Sequence, residues 1–179
     1  MEQFLIKNEK RAFVMARIAT KNEQVALDIV QDTMIKLVTK YSNKQANELA
    51  PLFFRILQSR IVDWHRRQKI RNRWRSWLGK DTKSDASENE FSQSSLENYS
   101  NEDHLLPEQG VENFQFSQSL EVAVSHLPLR QQQAFMLRGW EGYSTAETSD
   151  IMQCSQGSVK THYSRALKAL RKSLQEFSL

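Results

Sequence analysis

Apolar residues recur every three or four positions from about residue 4 to residue 64 and again from about 117 to 175. This period is typical of amphipathic α-helices. The first block predicts helices over about 4–20 and 24–41, separated by a break at residues 21–23. The core-facing stripe predicted for the second helix comprises Ala26, Val30, Thr33, Met34, Leu37, Val38 and Tyr41.

A second face of that helix mixes acidic, amide and apolar side chains. It comprises Asp28, Gln31, Asp32 and Ile35. An isoleucine beside two carboxylates is unusual on a face that meets only water, so a protein-docking surface and simple solubility are both open.

A third helix is predicted after the loop at 42–50, with Pro51 in its first turn. Its core positions are Phe53, Ile56, Leu57, Ile61 and Trp64. The helix continues into a stretch without acids that carries Arg66, Arg67, Lys69, Arg71, Arg73 and Arg75, interleaved with Trp74 and Trp77. Cations neutralise phosphates and indoles stack on unpaired bases, so this stretch indicates nucleic-acid binding. The alternative is an exposed basic helix end whose tryptophans belong to the core or to another interface.

The C-terminal block predicts helices near 117–126 and 129–138, a break at 139–143, and a capping box formed by Ser144 and Glu147. A short helix at 145–152, a turn at 153–155 and a long helix at 156–175 follow, which is the pattern of a helix-turn-helix. In the last helix Val159, Tyr163, Ala166, Leu167 and Leu170 face inward. The outward residues are Gln156, Ser158, Lys160, Thr161, Ser164, Arg165 and Lys168. A plain αα-hairpin would share this topology.

Composition and charge divide the 179 residues into three parts. Residues 1–78 hold 16 Lys and Arg against 7 Asp and Glu, residues 79–115 hold 2 against 9, and residues 116–179 hold 7 against 5. The acidic middle lacks a period that would bury a face, so we expect a flexible linker there. The predicted fold is therefore all-α, with two small helical domains at 1–78 and 116–179.

Other features narrow the function classes. One cysteine, Cys154, excludes an internal disulfide and a cysteine-based zinc cluster, and we expect no cofactor or metal. No apolar run reaches the roughly 20 residues of a membrane span and no secretory signal is visible, so we expect a cytoplasmic protein.

Two segments together resemble the extracytoplasmic-function (ECF) group of bacterial sigma factors. ALDIVQDTMIKLVTKY with LFFRILQSRIVDWHRRQKIRNR resembles the second conserved region, and HLPLRQQQAFMLRGWEGYSTAETSDIMQCSQGSVKTHYSRALKALRKSL resembles the fourth. The resemblance implies a non-enzymatic sigma factor with no small-molecule substrate, which binds core RNA polymerase through the β′ clamp helices and the β flap. It also implies promoter DNA as a ligand, assistance in DNA melting, and an anti-sigma factor as a further candidate partner.

The resemblance assigns roles to three sets of residues. Asp28, Gln31, Asp32 and Ile35 would contact the clamp helices. The minus-ten element would meet Ser59, Arg66, Arg67, Lys69, Arg71, Arg73 and Trp74. The minus-thirty-five element would meet Gln156, Ser158, Lys160, Thr161, Ser164, Arg165 and Lys168. The sequence departs from the family pattern at Leu52, Ser59, Thr148 and Ser149.

Two other function classes compete with this interpretation. An autonomous helix-turn-helix regulator would use the C-terminal block but leave the Arg/Trp helix and the Asp28 face without a role. An enzyme, such as a nuclease, would have to use Asp63, His65, Asp103 and His104. Because Asp63 and His65 are two positions apart on a helix, they do not share a face.

Overall fold

The computed structural model describes residues 1–78 and 118–176, and the regular structure in both ranges is helical. The first range contains α1 (Glu2–Thr20), α2 (Glu23–Tyr41) and α3 (Ala46–Leu78). The second contains α4 (118–125), α5 (Leu129–Phe135), a π-helix (Met136–Trp140), α6 (Thr145–Met152) and α7 (Gln156–Glu176). The predicted all-α class with two helical domains is confirmed. The predicted linker at 79–115 lies outside the described residues.

The first domain is a bundle in which α1, α2 and α3 pack against one another. Lys21 ends α1 in the left-handed region at φ 54°, and the Asn22 side chain accepts a hydrogen bond from the Val25 N–H at 2.9 Å, which caps α2. The predicted break at residues 21–23 is confirmed, since it contains the end of α1 and the N-terminal cap of α2. The largest buried side chains of this core are Leu37, Phe53, Phe54, Leu57 and Ile61.

The predicted stripe of α2 is confirmed at four positions and wrong at one. Ala26, Val30, Thr33 and Leu37 are buried, whereas Val38 is exposed. Ile29 is also buried. Because each residue advances the helix by about 100°, including Ile29 moves the centre of the buried face away from Val38.

The third helix begins earlier than predicted. It starts at Ala46, five residues before Pro51, so the placement of Pro51 in the first turn is wrong. Glu48 lies in the first turn instead, and its carboxylate accepts a hydrogen bond from the Gln45 N–H at 3.4 Å. With 33 residues, α3 is about 50 Å long, which carries its basic end well past the predicted core positions.

The second domain contains the predicted helix-turn-helix. The capping box is confirmed: the Ser144 N–H donates to Glu147 Oε2 at 2.8 Å, and the Glu147 N–H donates to Ser144 Oγ at 3.2 Å. Gln153 turns the chain in the left-handed region at φ 52°, and α7 buries Val159, Ala166 and Leu170 as predicted.

The helix predicted at 129–138 changes type partway along. Its second half is the π-helix, in which the Glu141 N–H donates to the Met136 carbonyl at 2.9 Å. Gly139 permits the tight packing of this turn, since a Cβ there would lie 3.3 Å from the Phe135 ring.

The two domains contact each other. Gln133 Nε2 donates a buried hydrogen bond to Gln58 Oε1 at 2.9 Å, and the rings of Phe54 and Tyr143 meet edge to face at 5.8 Å between centroids. Arg11 pairs with Glu141, and Arg17 pairs with Glu121. We call this contact the interdomain seam; its residues are Arg11, Arg17, Phe54, Gln58, Glu121, Gln133, Glu141 and Tyr143. No helix in the described ranges is long and apolar enough to cross a membrane.

Candidate nucleic-acid interface

The mixed face of α2 points to solvent. Asp28, Gln31, Asp32 and Ile35 are all exposed, and the Ile35 side chain is 61% accessible. A cleft of about 260 Å³ separates this face from α3, where Arg60 Nη1 lies 3.9 Å from Asp32 Oδ2. Arg67 lines the same cleft, so the structure places the acidic face next to the start of the basic run.

The basic end of α3 is exposed along its length. Its cations are Arg66, Arg67, Lys69, Arg71, Arg73 and Arg75, each exposed and none within ion-pair distance of a carboxylate in the described ranges. Trp74 and Trp77 are 58% and 70% accessible, and their rings meet edge to face at 5.8 Å. The tryptophans therefore do not belong to the core of the described domains. The alternative interpretation that placed them in the core is wrong.

Ser59 lies on the surface of α3 beside a buried neighbour. Its side chain is exposed, whereas Gln58 is buried in the interdomain seam. The residue that would line a base-binding pocket is thus adjacent to the contact with the second domain.

The outward residues of α7 form a second basic surface. Lys160, Thr161, Ser164, Arg165 and Lys168 are exposed, as is Gln156. Ser158 is only half-buried rather than fully outward, because its hydroxyl bonds the Ser155 hydroxyl at 2.9 Å in the cap of the helix. The Thr161 hydroxyl donates to the Gly157 carbonyl at 3.0 Å, which orients it within the first turns.

Three further cations, two on α7 and one on the π-helix, were not among the predicted DNA-binding residues. Arg138, Arg171 and Lys172 join Lys160 and Lys168 around a cleft of about 570 Å³ that has no acidic lining residue. The Arg138 guanidinium lies 4.8 Å from the centroid of the Tyr163 ring. Arg171 and Lys172 could have been predicted as part of this surface, because they lie in the acid-free run of the last helix. Arg138 could not, because the π-helix brings it to the cleft.

The residues proposed for an enzyme do not form a site. His65 Nε2 lies 2.9 Å from the Ala19 carbonyl, and burial lowers the pKa of this imidazole more than the Ala19 carbonyl raises it, with Lys69 lowering it further. Within residues 1–78 and 118–176, no three His, Cys, Asp or Glu side chains come together as metal ligands would. Asp103 and His104 lie outside the described residues, and Cys154 is half-buried and free.

Comparison with known proteins finds similarity to sigma factors. The family model of sigma-70, region 4, matches residues 117–170, which contain the helix-turn-helix. The ECF RNA polymerase sigma factor SigX of Bacillus subtilis (strain 168) is 23% identical over 165 residues, covering 91% of this chain and 76% of SigX. These matches support a sigma factor of the ECF type within the sigma-70 family. An autonomous regulator is set aside, since the similarity to SigX includes the first domain.

This ECF sigma factor also shares its fold with a solved relative. The sigma factor RpoE of Bartonella quintana, in its co-crystal structure with the anti-sigma factor NepR, superposes with a TM-score of 0.65 and is 21% identical. The match covers 97% of this chain and 96% of RpoE, so it extends across both helical domains. The family places the protein in transcription initiation.

Proposed function

We propose that this sigma factor binds core RNA polymerase, directs it to specific promoters and assists DNA melting there. In this proposal residues 1–78 bind polymerase and the minus-ten element, residues 116–179 bind the minus-thirty-five element, and residues 79–115 connect them. The site of action is the cytoplasm, where core polymerase and promoters are found.

The exposed Ile35, on the same face of α2 as Asp28 and Asp32, is the observation that carries the polymerase contact. Ile35 is 61% accessible. A partner that covers it would lower the free energy by about 25 cal/mol for each Å² of apolar surface removed from water. The flanking carboxylates would select a partner with basic residues, since complementary charge gives specificity. The β′ clamp helices are the partner that the family resemblance implies, and the β flap is the expected partner of the second domain.

Two basic surfaces support the promoter contacts. The end of α3 offers unpaired cations with exposed indoles, which suits a melted strand because unpaired bases stack on aromatic rings. The start of α7 presents Lys160 and Thr161 as a recognition helix does in the major groove. An anti-sigma factor is a candidate regulator, because RpoE of Bartonella quintana was crystallised with one.

Charge reversal on α2 tests the polymerase contact. We expect the double variant Asp28→Lys, Asp32→Lys to weaken affinity for purified core polymerase by about tenfold or more, since like charges placed together across an interface repel. The matched control is Glu2→Lys, Glu9→Lys, which makes the same charge change on exposed acids of α1. Circular dichroism checks the fold of each variant. Unchanged affinity in the α2 variant, or an equal loss in the α1 control, would overturn this contact.

A further inference from the structure

Three apolar side chains lie on one exposed face of the last turns of α3. Ile70, Trp74 and Trp77 are 50%, 58% and 70% accessible. Because each residue advances the helix by about 100°, the three side chains fall within about 60° of one another. They therefore form one continuous apolar surface, about 10 Å long at 1.5 Å per residue, which we call the Ile70–Trp77 stripe.

Cations border this stripe on both sides. By the same helical geometry Arg73 lies on one side of the stripe and Arg71 on the other. Lys69 and Arg75 lie further round the helix. All four are exposed, and residues 66–77 contain no acid. The end of α3 is thus a basic amphipathic helix, a pattern typical of segments that bind membrane surfaces.

The acidic face of α2 adjoins an earlier part of α3. Arg67 is the last residue of α3 that lines the cleft with Asp28 and Asp32. Ile70 begins almost one turn later, and the stripe extends from there toward the end of the helix. The stripe is therefore surrounded by cations.

Stacking on bases does not account for the whole stripe. Ile70 has no ring to stack, and the Trp74 and Trp77 rings meet edge to face at 85°, so the edge of one ring covers a face of the other. The boundary between hydrocarbon and water suits all three side chains, since the isoleucine enters the apolar layer while each indole N–H stays near the polar headgroups. The bordering cations complement anionic headgroups.

We propose that residues 66–77 bind the surface of an anionic membrane, with the Ile70–Trp77 stripe in the lipid interface and the cations on the headgroups. The helix lies in the plane of the interface. Because three side chains bury little apolar area, the contact is reversible. Lipid and promoter DNA would compete for this helix; the competition rests on the proposed function, whereas the lipid contact does not.

Co-sedimentation of the free, full-length protein with vesicles tests the lipid contact. Vesicles of equal parts phosphatidylglycerol and phosphatidylcholine should bind at least tenfold more tightly than vesicles of phosphatidylcholine alone, since each cation near an anionic surface adds roughly fivefold. Ile70→Ser should weaken binding to the anionic vesicles by about fivefold, because it removes apolar surface that lipid would cover. The double variant Arg71→Gln, Arg73→Gln should weaken it by about tenfold or more.

The first helix supplies matched controls. Ile6 is 66% accessible and Lys7 and Lys10 are exposed, but α1 contains no tryptophan. Ile6→Ser, and separately Lys7→Gln with Lys10→Gln, should leave vesicle binding unchanged, and circular dichroism checks the helicity of every variant. The lipid contact is overturned if anionic vesicles bind no better than neutral ones, or if Ile70→Ser has no more effect than Ile6→Ser.

Bromine on the acyl chains shows whether the tryptophans enter the lipid. Anionic vesicles with brominated chains should quench the tryptophan fluorescence of the protein. The double variant Trp74→Phe, Trp77→Phe should lose most of this quenching, since phenylalanine keeps an apolar ring without the indole fluorescence. Undiminished quenching in that variant would mean that Trp64 or Trp140 contacts the lipid, which overturns the assignment to this stripe.

A single-stranded DNA oligonucleotide separates lipid binding from nucleic-acid binding. Ile70→Ser should retain its affinity for the oligonucleotide, because an aliphatic side chain does not stack on bases. Equal losses of affinity for DNA and for vesicles would assign the stripe to nucleic acid and overturn the lipid contact. A failure to bind core polymerase would count against the proposed function alone, since vesicle binding is measured on the free protein.

Discussion

At the scale of single residues, two buried threonines differ in how their hydroxyls are satisfied. Thr33 donates to the Ile29 carbonyl at 2.7 Å, whereas Thr148 Oγ1 has no partner in the part of the chain that the structure describes. Both side chains are fully buried. A buried polar atom without a hydrogen bond costs about 1–3 kcal/mol, so Thr148 is a weak point of the helix-turn-helix.

We expect Thr148→Val to raise the free energy of unfolding by about 1 kcal/mol, because the methyl replaces an unsatisfied hydroxyl of similar size. Thr33→Val is the matched control and should give no gain, since it removes a hydroxyl that is bonded. Urea denaturation of both variants, followed by circular dichroism, measures the difference. A loss of stability at position 148, or the same change at both positions, would contradict this account.

In the sequence, Thr148 and Ser149 both depart from the family pattern, but nothing there indicates which hydroxyl forms a hydrogen bond. Ser149 donates to the Ala146 carbonyl at 2.7 Å, so its hydroxyl is satisfied within its own helix. Whether a hydroxyl finds a carbonyl depends on its rotamer and on its neighbours, neither of which the residue type determines.

At the scale of helices, periodicity predicted most elements. It failed where tertiary contacts determine the type or the first residue of a helix. The capping box at Ser144 was predicted because it depends on residues within three positions. The Asn22 cap also spans three positions, but the sequence analysis predicted only a break there. The π-helix was not, because it depends on how Gly139 packs on Phe135. The early start of α3 depends on Glu48, whose carboxylate bonds the Gln45 N–H.

The last helix offers an element-scale prediction. Lys160, in the first turns of α7, should read bases, and Lys168, two turns further along, should contact phosphate. Lys160→Ala is therefore expected to reduce discrimination at one or two promoter positions by about 1–3 kcal/mol. Lys168→Ala should weaken binding to all promoters alike and lower the salt slope by roughly one.

Transcription from single-base promoter variants, run with each mutant holoenzyme at two salt concentrations, measures this difference. Glu176 ends the described part of α7, and both lysines precede it by at least two turns, so helix fraying does not confuse the comparison. An unchanged ranking of promoter variants with Lys160→Ala would show that this residue does not read bases.

At the scale of the whole molecule, the two domains and their charges were predictable, but their contact was not. The seam residues follow no sequence pattern: Gln58 and Gln133 look like ordinary polar positions of two helices until the fold brings them together. Arg11 and Glu141 are likewise 130 positions apart. The candidate surfaces were easier to predict, because each lies on one helix and needs only the helical period.

Transcription from fragmented genomic DNA tests the central claim most directly. Core polymerase transcribes the fragments with and without this protein, and sequencing of RNA 5′ ends maps the start sites. If the protein is a promoter-specificity subunit, new start sites will appear that share two sequence motifs, about one and about three helical turns upstream. An identical set of RNA ends with and without the protein would contradict the account.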